Sequence, residues 1–244
     1  MTAIPLTRSA PTVIQQRQVR LNDQIVSYEL RQAAGRRLSI RIDERGVRVG
    51  APKSSSMQTI EAFIRAHGDW LLRKVAERTA IVEQRRIDIA DGAVLPVLGE
   101  SVVVRVISGP NRAYWHQREL ILAARQGANL TLLLRKALKE RALAYFQERL
   151  QYYAVLIGKQ PPALALSSAR TRWGSCSNNS GIRINWRLIH LAPQFADYVV
   201  AHELAHTVEM NHSERFWAVV NSLYADWRSV RTQLKVSAAA IPIF

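Results

Sequence analysis

The first part of the chain alternates hydrophobic and polar residues in the pattern of β-strands. The alternation runs through residues 38–42 and 47–49, and two similar runs flank Asn22-Asp23. Such alternation is typical of half-buried antiparallel strands, and a short polar pair between two runs favours a hairpin turn. After a flexible tail over residues 1–16, we therefore expect a β-rich half with one long helix over residues 17–127.

Three later stretches repeat hydrophobic residues at the helical period. The first covers residues 59–85, and Ser55 with Gln58 predicts a capping box at its start. The second covers residues 131–157 and stops before Gly158. The third begins at Pro193 and runs to about Met210. Strands are predicted between them, at residues 94–98, 102–107, 119–123, 163–168 and 182–188. The order predicts an α+β fold whose second half covers residues 128–244.

Charge and cysteine content narrow the class of protein. The 244 residues include 34 Lys and Arg against 19 Asp and Glu, a formal net charge of +15. Such an excess favours an anionic partner, and a nucleic acid could bind the basic surface. Because there is one cysteine, no intramolecular disulfide can form, and a cytoplasmic location is expected. We find no secretory signal and no apolar run long enough to span a membrane. The oligomeric state is left open.

The sequence His202-Glu203-Leu204-Ala205-His206 carries the clearest chemistry. Two histidines four residues apart lie on one face of a helix, so both imidazoles can reach one metal ion. Glu203 projects beside them and can take a proton from a water on that metal. The hydrophobic residues around the motif predict a buried helix, which would not carry these groups without a role. The pattern therefore predicts a zinc site with Glu203 as the general base.

A catalytic zinc ion usually has three protein ligands and one open position. His212 is the favoured third ligand, provided that the helix ends near Met210 and a turn brings residue 212 back. Asn211 could supply the left-handed conformation that such a turn needs. Glu209 and Glu214 are the alternative ligands, since some zincins use a downstream carboxylate.

The tract from residue 170 to 217 resembles the YgjP-like metallopeptidase domain family (the DUF45 group), a relative of the M48 and SprT-like zincins. The resemblance rests on Arg172-Trp173-Gly174-Ser175-Cys176-Ser177, Gly181-x-Ile-x-Asn185, the run from Asp197 to His206, and Asn211-His212-Ser213-x-x-Phe216-Trp217. It extends more loosely to residues 36–42, 63–70 and 91–99. The resemblance implies a zinc hydrolase with His202, His206 and His212 as ligands and Glu203 as the base. It also implies a zincin-like fold in which the active-site helix lies next to a small, mostly antiparallel sheet. A histidine six residues after the motif is also the metzincin spacing, but that group has Gly where this chain has Glu209.

The residues around the motif are weaker candidates for a role in the site. Arg172, Tyr198 and Asn211 could stabilise the oxyanion. The remaining candidates for substrate binding or for support of the site are Trp173, Ser175, Cys176, Asn185, Arg187 and Trp217. A cysteine-protease reading of Cys176 leaves the histidine motif unexplained.

The sequence is compatible with three classes of substrate. Between residues 159 and 200 there are five basic residues against Asp197 alone, so an anionic substrate is one interpretation. A metallopeptidase acting on a peptide or protein is the leading prediction. A nucleoside triphosphate pyrophosphatase that uses the arginine-rich flank is the first alternative. A nucleic-acid-associated protease or nucleic-acid-binding module is the second.

Overall fold

The computed structural model of the chain describes residues 13–34, 37–43, 46–177 and 179–244. The chain divides into two compact units, Met1–Gln84 and Arg85–Phe244. The second group of strands, which is assigned to the first half from the sequence, shares its hydrophobic core with the helices that follow it. Most of the predicted tail at residues 1–16 lies outside the described residues.

The first unit contains a four-stranded sheet covered by helices. Its strands lie in the order β1-β2-β4-β3, with β2 and β4 parallel and the other pairs antiparallel. Asn22 has a φ of +50° in the turn between β1 and β2, which confirms the predicted hairpin. The bounds are β1 Val13–Leu21, β2 Gln24–Ala33, β3 Ser39–Asp43, β4 Gly46–Pro52, α1 Met57–Ala66 and α2 Gly68–Arg85.

The prediction of a single long helix over residues 59–85 is wrong, because the helix is interrupted at His67. This residue caps α1 with φ −108° and ψ 16°, and α2 then begins at Gly68. Glycine is a poor helix former, so the break falls where helical propensity is lowest. The hydroxyl that caps α1 belongs to Ser56, which accepts from the amide of Thr59, and the predicted capping position is thus one residue early.

The second unit begins with another four-stranded sheet. Its order is β5-β6-β8-β7, with β6 and β8 parallel and the other pairs antiparallel. Helix α3 follows, capped by the side chain of Asn129, and buries Leu134, Leu138 and Phe146 in the core of this unit. The bounds are β5 Val94–Val97, β6 Glu100–Ser108, β7 Arg112–His116, β8 Glu119–Ala124 and α3 Leu130–Leu156. Strand β7 has no counterpart in the sequence prediction.

A three-stranded sheet and three helices complete the second unit. The sheet has the order β10-β11-β9, with β10 antiparallel and β9 parallel to the central strand. Helix α4 packs against α3, α5, α6 and β10, so it lies at the centre of the unit. The bounds are β9 Leu164–Ser167, β10 Gly174–Ser177, β11 Gly181–Asn185, α4 Pro193–Ala205, α5 Glu214–Leu223 and α6 Trp227–Ser237.

The α+β class predicted from the sequence is confirmed, with one strand shorter than expected. The strand predicted for residues 182–188 ends at Asn185, whose side chain caps a 3-10 helix at Trp186–His190. In the part of the chain that the structure describes, no helix is both long and apolar enough to cross a membrane.

Candidate active site on helix α4

Helix α4 is a buried helix that carries the first half of the histidine motif. Pro193 occupies its first turn, where a missing amide hydrogen costs nothing. Its last turn carries His202 and Glu203. The helix ends at Ala205, not near Met210 as the sequence predicts, and His206 is its C-cap. The hydroxyl and the amide of Thr207 both donate to the carbonyl of Leu204 at this end of the helix.

The turn after α4 brings His212 back toward the helix. The amides of Val208 and Glu209 both donate to the carbonyl of Ala205, which closes the end of α4. Residues 206–213 are all described and none of them has a positive φ, so the left-handed conformation expected at Asn211 is wrong. Ser213 then caps α5 by accepting from the amide of Phe216. The early end of α4 gives the chain enough length to reverse without a left-handed residue.

His202, His206 and His212 form a compact cluster. One ring nitrogen from each lies within 4.8 Å of the others, and the Nε2 atoms of His202 and His212 are 3.2 Å apart. The Nδ1 atom of His206 lies 3.2 Å from the carbonyl oxygen of Glu209, which assigns the proton to Nδ1 and leaves Nε2 as a free acceptor. The cluster contains neither the carboxylate of Glu209 nor that of Glu214.

Aromatic rings from α5 support the three histidines. Phe216 is fully buried, and its ring centroid lies 4.4 Å from that of His206, 4.6 Å from His212 and 5.0 Å from His202. The Trp217 ring lies 5.7 Å from both His202 and His212. Because these contacts restrict ring rotation, the cluster is held in place before any ligand arrives.

Burial keeps the imidazoles of His202 and His206 neutral. Burial lowers the pKa of His202 to about 3, with further contributions from His206, His212 and Arg231. Burial also lowers the pKa of His206 below its ordinary value. A neutral imidazole has a lone pair to offer a metal, so both groups are in the form that binds one.

Glu203 is a buried acid at the base of the same site. It is 6% exposed, and burial raises its pKa to about 7, although the positive charge of Arg172 opposes the shift. Gly174 lies directly against its carboxyl group. A Cβ atom at this position would come within 2.5 Å of both Cγ and Oε1 of Glu203. Strand β10 therefore approaches α4 closely enough to fix the carboxyl group only because residue 174 has no side chain.

Asn185 holds the loop that precedes β10. It is 3% exposed, and its Nδ2 atom donates to the carbonyl of Ala169 at 2.7 Å and to that of Arg172 at 3.3 Å. Its Oδ1 atom accepts from the amide of Arg187, and its own amide donates to the carbonyl of Trp173. These bonds satisfy the buried side chain and place Arg172, Trp173 and Gly174 beside the site. Asn185 thus acts on the site through the loop.

A cavity of about 330 Å³ opens beside the histidine cluster. Of the weaker candidates from the sequence, Arg172, Trp173, Tyr198 and Trp217 line it, together with His202, Glu203 and His212. The other weaker candidates do not, namely Ser175, Cys176, Asn185, Arg187 and Asn211. Burial and the nearby Glu203 raise the pKa of the Cys176 thiol, which makes it a poor nucleophile.

Three contributors to the site have no counterpart among the residues predicted from the sequence. Phe216 supports the histidine rings, and Arg231 and Lys235 of α6 line the cavity. The sequence does contain a pattern that indicates Arg231 and Lys235. They are four residues apart and adjoin the apolar stripe of Trp227, Val230 and Leu234, so one face of α6 is both anchored and charged.

Similarity to known proteins assigns the chain to a family. Two crystal structures are similar to part of the chain, both of metallopeptidase zymogens. Abylysin from Pyrococcus abyssi is 17% identical, with a TM-score of 0.36 over 40% of this chain and 99% of that chain. Jannalysin from Methanocaldococcus jannaschii is 13% identical, with a TM-score of 0.35 over 38% of this chain and 96% of that chain. The comparison with curated proteins gave no match.

The model of the YgjP-like metallopeptidase domain matches residues 36–237, which is most of the chain. The chain therefore belongs to the YgjP-like metallopeptidase domain family.

Proposed function

We propose that this chain is a zinc-dependent metallopeptidase with its active site on α4. The observation that carries the proposal is the cluster of three imidazole donors, two of which, His202 and His212, line one cavity with the buried carboxyl group of Glu203. Membership of a metallopeptidase family gives the class of reaction. The single cysteine favours a reducing, cytoplasmic location.

The donor set fits zinc. Zinc–imidazole bonds of about 2.0–2.1 Å in a tetrahedral site place two ligand nitrogens roughly 3.3 Å apart, close to the 3.2 Å between the Nε2 atoms of His202 and His212. Three histidines, with no fourth ligand among the described residues, match the donor set of a catalytic zinc site, which keeps one position open for water or substrate. The hydrogen bond from His206 to the carbonyl of Glu209 orients the ring as a neighbouring acceptor commonly does in zinc sites.

Glu203 is the proposed proton carrier. Zinc, when bound at the three histidines, supplies a Lewis acid that acidifies water and polarises a carbonyl group. The Glu203 carboxylate accepts a proton from the attacking water and later gives it to the leaving amine. Burial favours this role, because the pKa near 7 lets one group serve as acceptor and donor at neutral pH.

Arg172 and Tyr198 are the proposed residues that stabilise negative charge. Arg172 and Tyr198 line the cavity beside Glu203, so each could donate to the oxygen of the carbonyl group under attack. Asn211, the third candidate from the sequence, lies outside the cavity lining.

Strand β10 offers a way to hold an extended peptide. It is an edge strand that pairs with β11 on one side, and within the described residues no strand pairs with its other side. Gly174, at its start, lines the cavity. An extended peptide can add to such an edge through main-chain hydrogen bonds, which place successive peptide groups along the strand.

The test combines metal analysis with cleavage assays of the full chain. We expect about one zinc per chain and cleavage of peptides from a quenched-fluorescent panel, assayed beside nucleoside triphosphates. Glu203→Gln should keep zinc and lose about a thousandfold in kcat, the scale of a missing general base. Glu209→Gln is the matched control, because it changes a nearby carboxyl group outside the cluster and should leave both quantities unchanged.

Three results would contradict the proposal. These are a chain that binds no zinc, a Glu203→Gln variant with full activity, and a panel in which only nucleotides are hydrolysed. The last result would favour the pyrophosphatase alternative.

A further inference from the structure

The lining of the cavity beside the histidine cluster includes three positively charged side chains. Arg172, Arg231 and Lys235 line it, and Glu203 is the only acid among the described lining residues. The other basic residues of the flank noted in the sequence, Lys159, Arg170, Arg183 and Arg187, are not part of the lining. The charge at the site thus comes from α6 and from one residue of the loop before β10.

None of these three positive charges is neutralised by a salt bridge among the described residues, although Arg172 acts electrostatically on Glu203. Elsewhere in this unit, Arg105 pairs with Glu119, Arg118 with Glu100, and Arg149 with Asp197. Within the described residues no ion pair involves Arg172, Arg231 or Lys235. Three positively charged side chains that line one cavity create a positive potential there, so an anionic ligand that enters is stabilised.

The Arg231 guanidinium group lies over the Trp217 ring. Its guanidinium carbon lies 5.1 Å from the centroid of the Trp217 ring, and Trp217 stacks on Trp227 with centroids 4.2 Å apart and an interplanar angle of 15°. A guanidinium group stacked on a ring keeps its in-plane N–H donors available, and their fork matches the two oxygens of a carboxylate. Trp217 also touches His202 and His212, so this fork lies close to the reacting centre.

Lys235 extends the same surface by one helical turn. Positions 231 and 235 share a face of α6, while Trp227, Val230 and Leu234 anchor the neighbouring face in the core. Because α6 is anchored along its length, the spacing between the two charges and the histidine cluster is fixed.

We propose that Arg231 and Lys235, with Arg172 in the same lining, form a carboxylate-binding subsite that selects polypeptide substrates with a carboxylate next to the scissile bond. This inference rests on the proposed peptidase function and names its substrate class. The carboxylate could belong to an Asp or Glu side chain or to the C-terminus of the substrate, since both present the same two oxygens.

The experiment compares matched peptides on the zinc-loaded full chain. One series moves a single Glu along an otherwise neutral peptide with an amidated C-terminus, and a second replaces that Glu with Gln. A third series has no acidic side chain and carries either a free or an amidated C-terminus. We expect kcat/KM to be about tenfold higher for the carboxylate form at one position, and the preference to shrink as salt is added.

The key variant is Arg231→Gln combined with Lys235→Gln. It should abolish the preference for the carboxylate while leaving cleavage of the neutral peptides within about twofold, well under the tenfold preference. Arg228→Gln is the matched control, because it removes one positive charge from the same helix outside the cavity lining. Lys235→Gln alone serves if the double variant does not fold, since Lys235 is exposed, and it should reduce the preference in part.

Peptide binding to the Glu203→Gln variant, measured by fluorescence polarisation, separates this inference from the proposed function. If no peptide is cleaved but the carboxylate form binds more tightly, and the Arg231 and Lys235 substitutions remove the difference, the subsite stands without the peptidase. Cleavage with no preference, or a preference that survives the double variant, would overturn the inference and leave the peptidase intact. Binding of triphosphate in place of any peptide carboxylate would also overturn it.

Discussion

The two four-stranded sheets of this protein have the same strand order and different surroundings. In each, the second and fourth strands in sequence pair in parallel in the middle, and the first and third lie at the edges. In the first unit, the helix that follows the sheet buries Ile60 and Ile64 on one face and exposes its opposite side. In the second, α3 buries hydrophobic residues along its whole length.

The difference lies in what packs against each covering helix. Helix α3 contacts the second sheet, strand β9, the 3-10 helix at Trp186–His190 and α4, so one core joins the sheet to the helix that carries His202 and Glu203. In the first unit the core is made of the sheet and the helices that directly follow it. The strand order is the same in both units and therefore does not predict which unit carries the histidine cluster. The difference is that α3 packs against α4 as well as against its own sheet.

The largest expected effect comes from truncating one buried residue in each covering helix. Leu138 of α3 is fully buried and Ile64 of α1 is 1% exposed, so either change to Ala should lower the free energy of unfolding by about 4 kcal/mol through lost contacts and a cavity. Leu138→Ala should also reduce peptidase activity, because α3 supports α4. Hydrogen exchange checks the location: amides of β6 and β8 should exchange faster in Leu138→Ala, and amides of β2 and β4 in Ile64→Ala.

The comparison would break if Ile64→Ala reduced activity as much as Leu138→Ala at a temperature where both variants are folded. It would be sharpened if only Leu138→Ala did so.

The next effect is a pH dependence that resides in the second unit. Burial lowers the pKa of His190 to about 4, and its Nδ1 atom is 2.8 Å from the carbonyl oxygen of Pro96, to which it donates. An unfolded histidine has a pKa of about 6.5, so between pH 6.5 and 4 the unfolded chain binds the extra proton. The contribution of neutral His190 to the free energy of unfolding is thus fully present above pH 6.5. It decreases as the pH falls and stops changing below pH 4, after a loss of about 3 kcal/mol.

Denaturant unfolding across this pH range is the measurement. His190→Asn keeps a donor for the carbonyl of Pro96 and should remove about 3 kcal/mol of the pH dependence. His67→Asn, a change of an exposed histidine in the first unit, is the control and should leave the wild-type slope in place. Equal slopes in wild type and His190→Asn would show that His190 does not titrate on unfolding.

The smallest expected effect comes from replacing each of two strand glycines, Gly174 and Gly50, with alanine, since an added Cβ at either position would lie very close to another side chain. A Cβ at Gly174 would meet the Glu203 carboxyl group, and a Cβ at Gly50 would lie 2.7 Å from the Ser39 hydroxyl, which can rotate away. Gly174→Ala should keep zinc and lose about a hundredfold in kcat/KM, because a shift of Glu203 by about 1 Å spoils proton transfer. Gly50→Ala should change stability slightly and activity not at all. Full activity in Gly174→Ala would mean that the close approach of β10 does not fix Glu203.

The sequence by itself predicted the α+β class and most of the elements, because hydrophobic period and turn residues act locally. Helix α3 was predicted within a residue at each end, since Asn129 caps it and Gly158 with two prolines follows it. The positions of His202 and Glu203 on α4, and of His206 at its C-cap, were also predictable, because their spacing along a helix determines which side chains share a face. The break at His67 and the early end of α4 were not readable, since they depend on competing hydrogen bonds at helix ends.

Only the tertiary structure decided what surrounds the motif. His212 joins the other two histidines through a turn whose course depends on how α5 packs, and Phe216 supports their rings from that helix. Gly174 and Asn185 act through contacts between segments distant in sequence, which no local pattern encodes. The sequence drew attention to basic residues near the motif, but the fold excludes most of them from the cavity and brings in Arg231 and Lys235. Charge can select a substrate only where packing places it, and that placement is a property of the whole core.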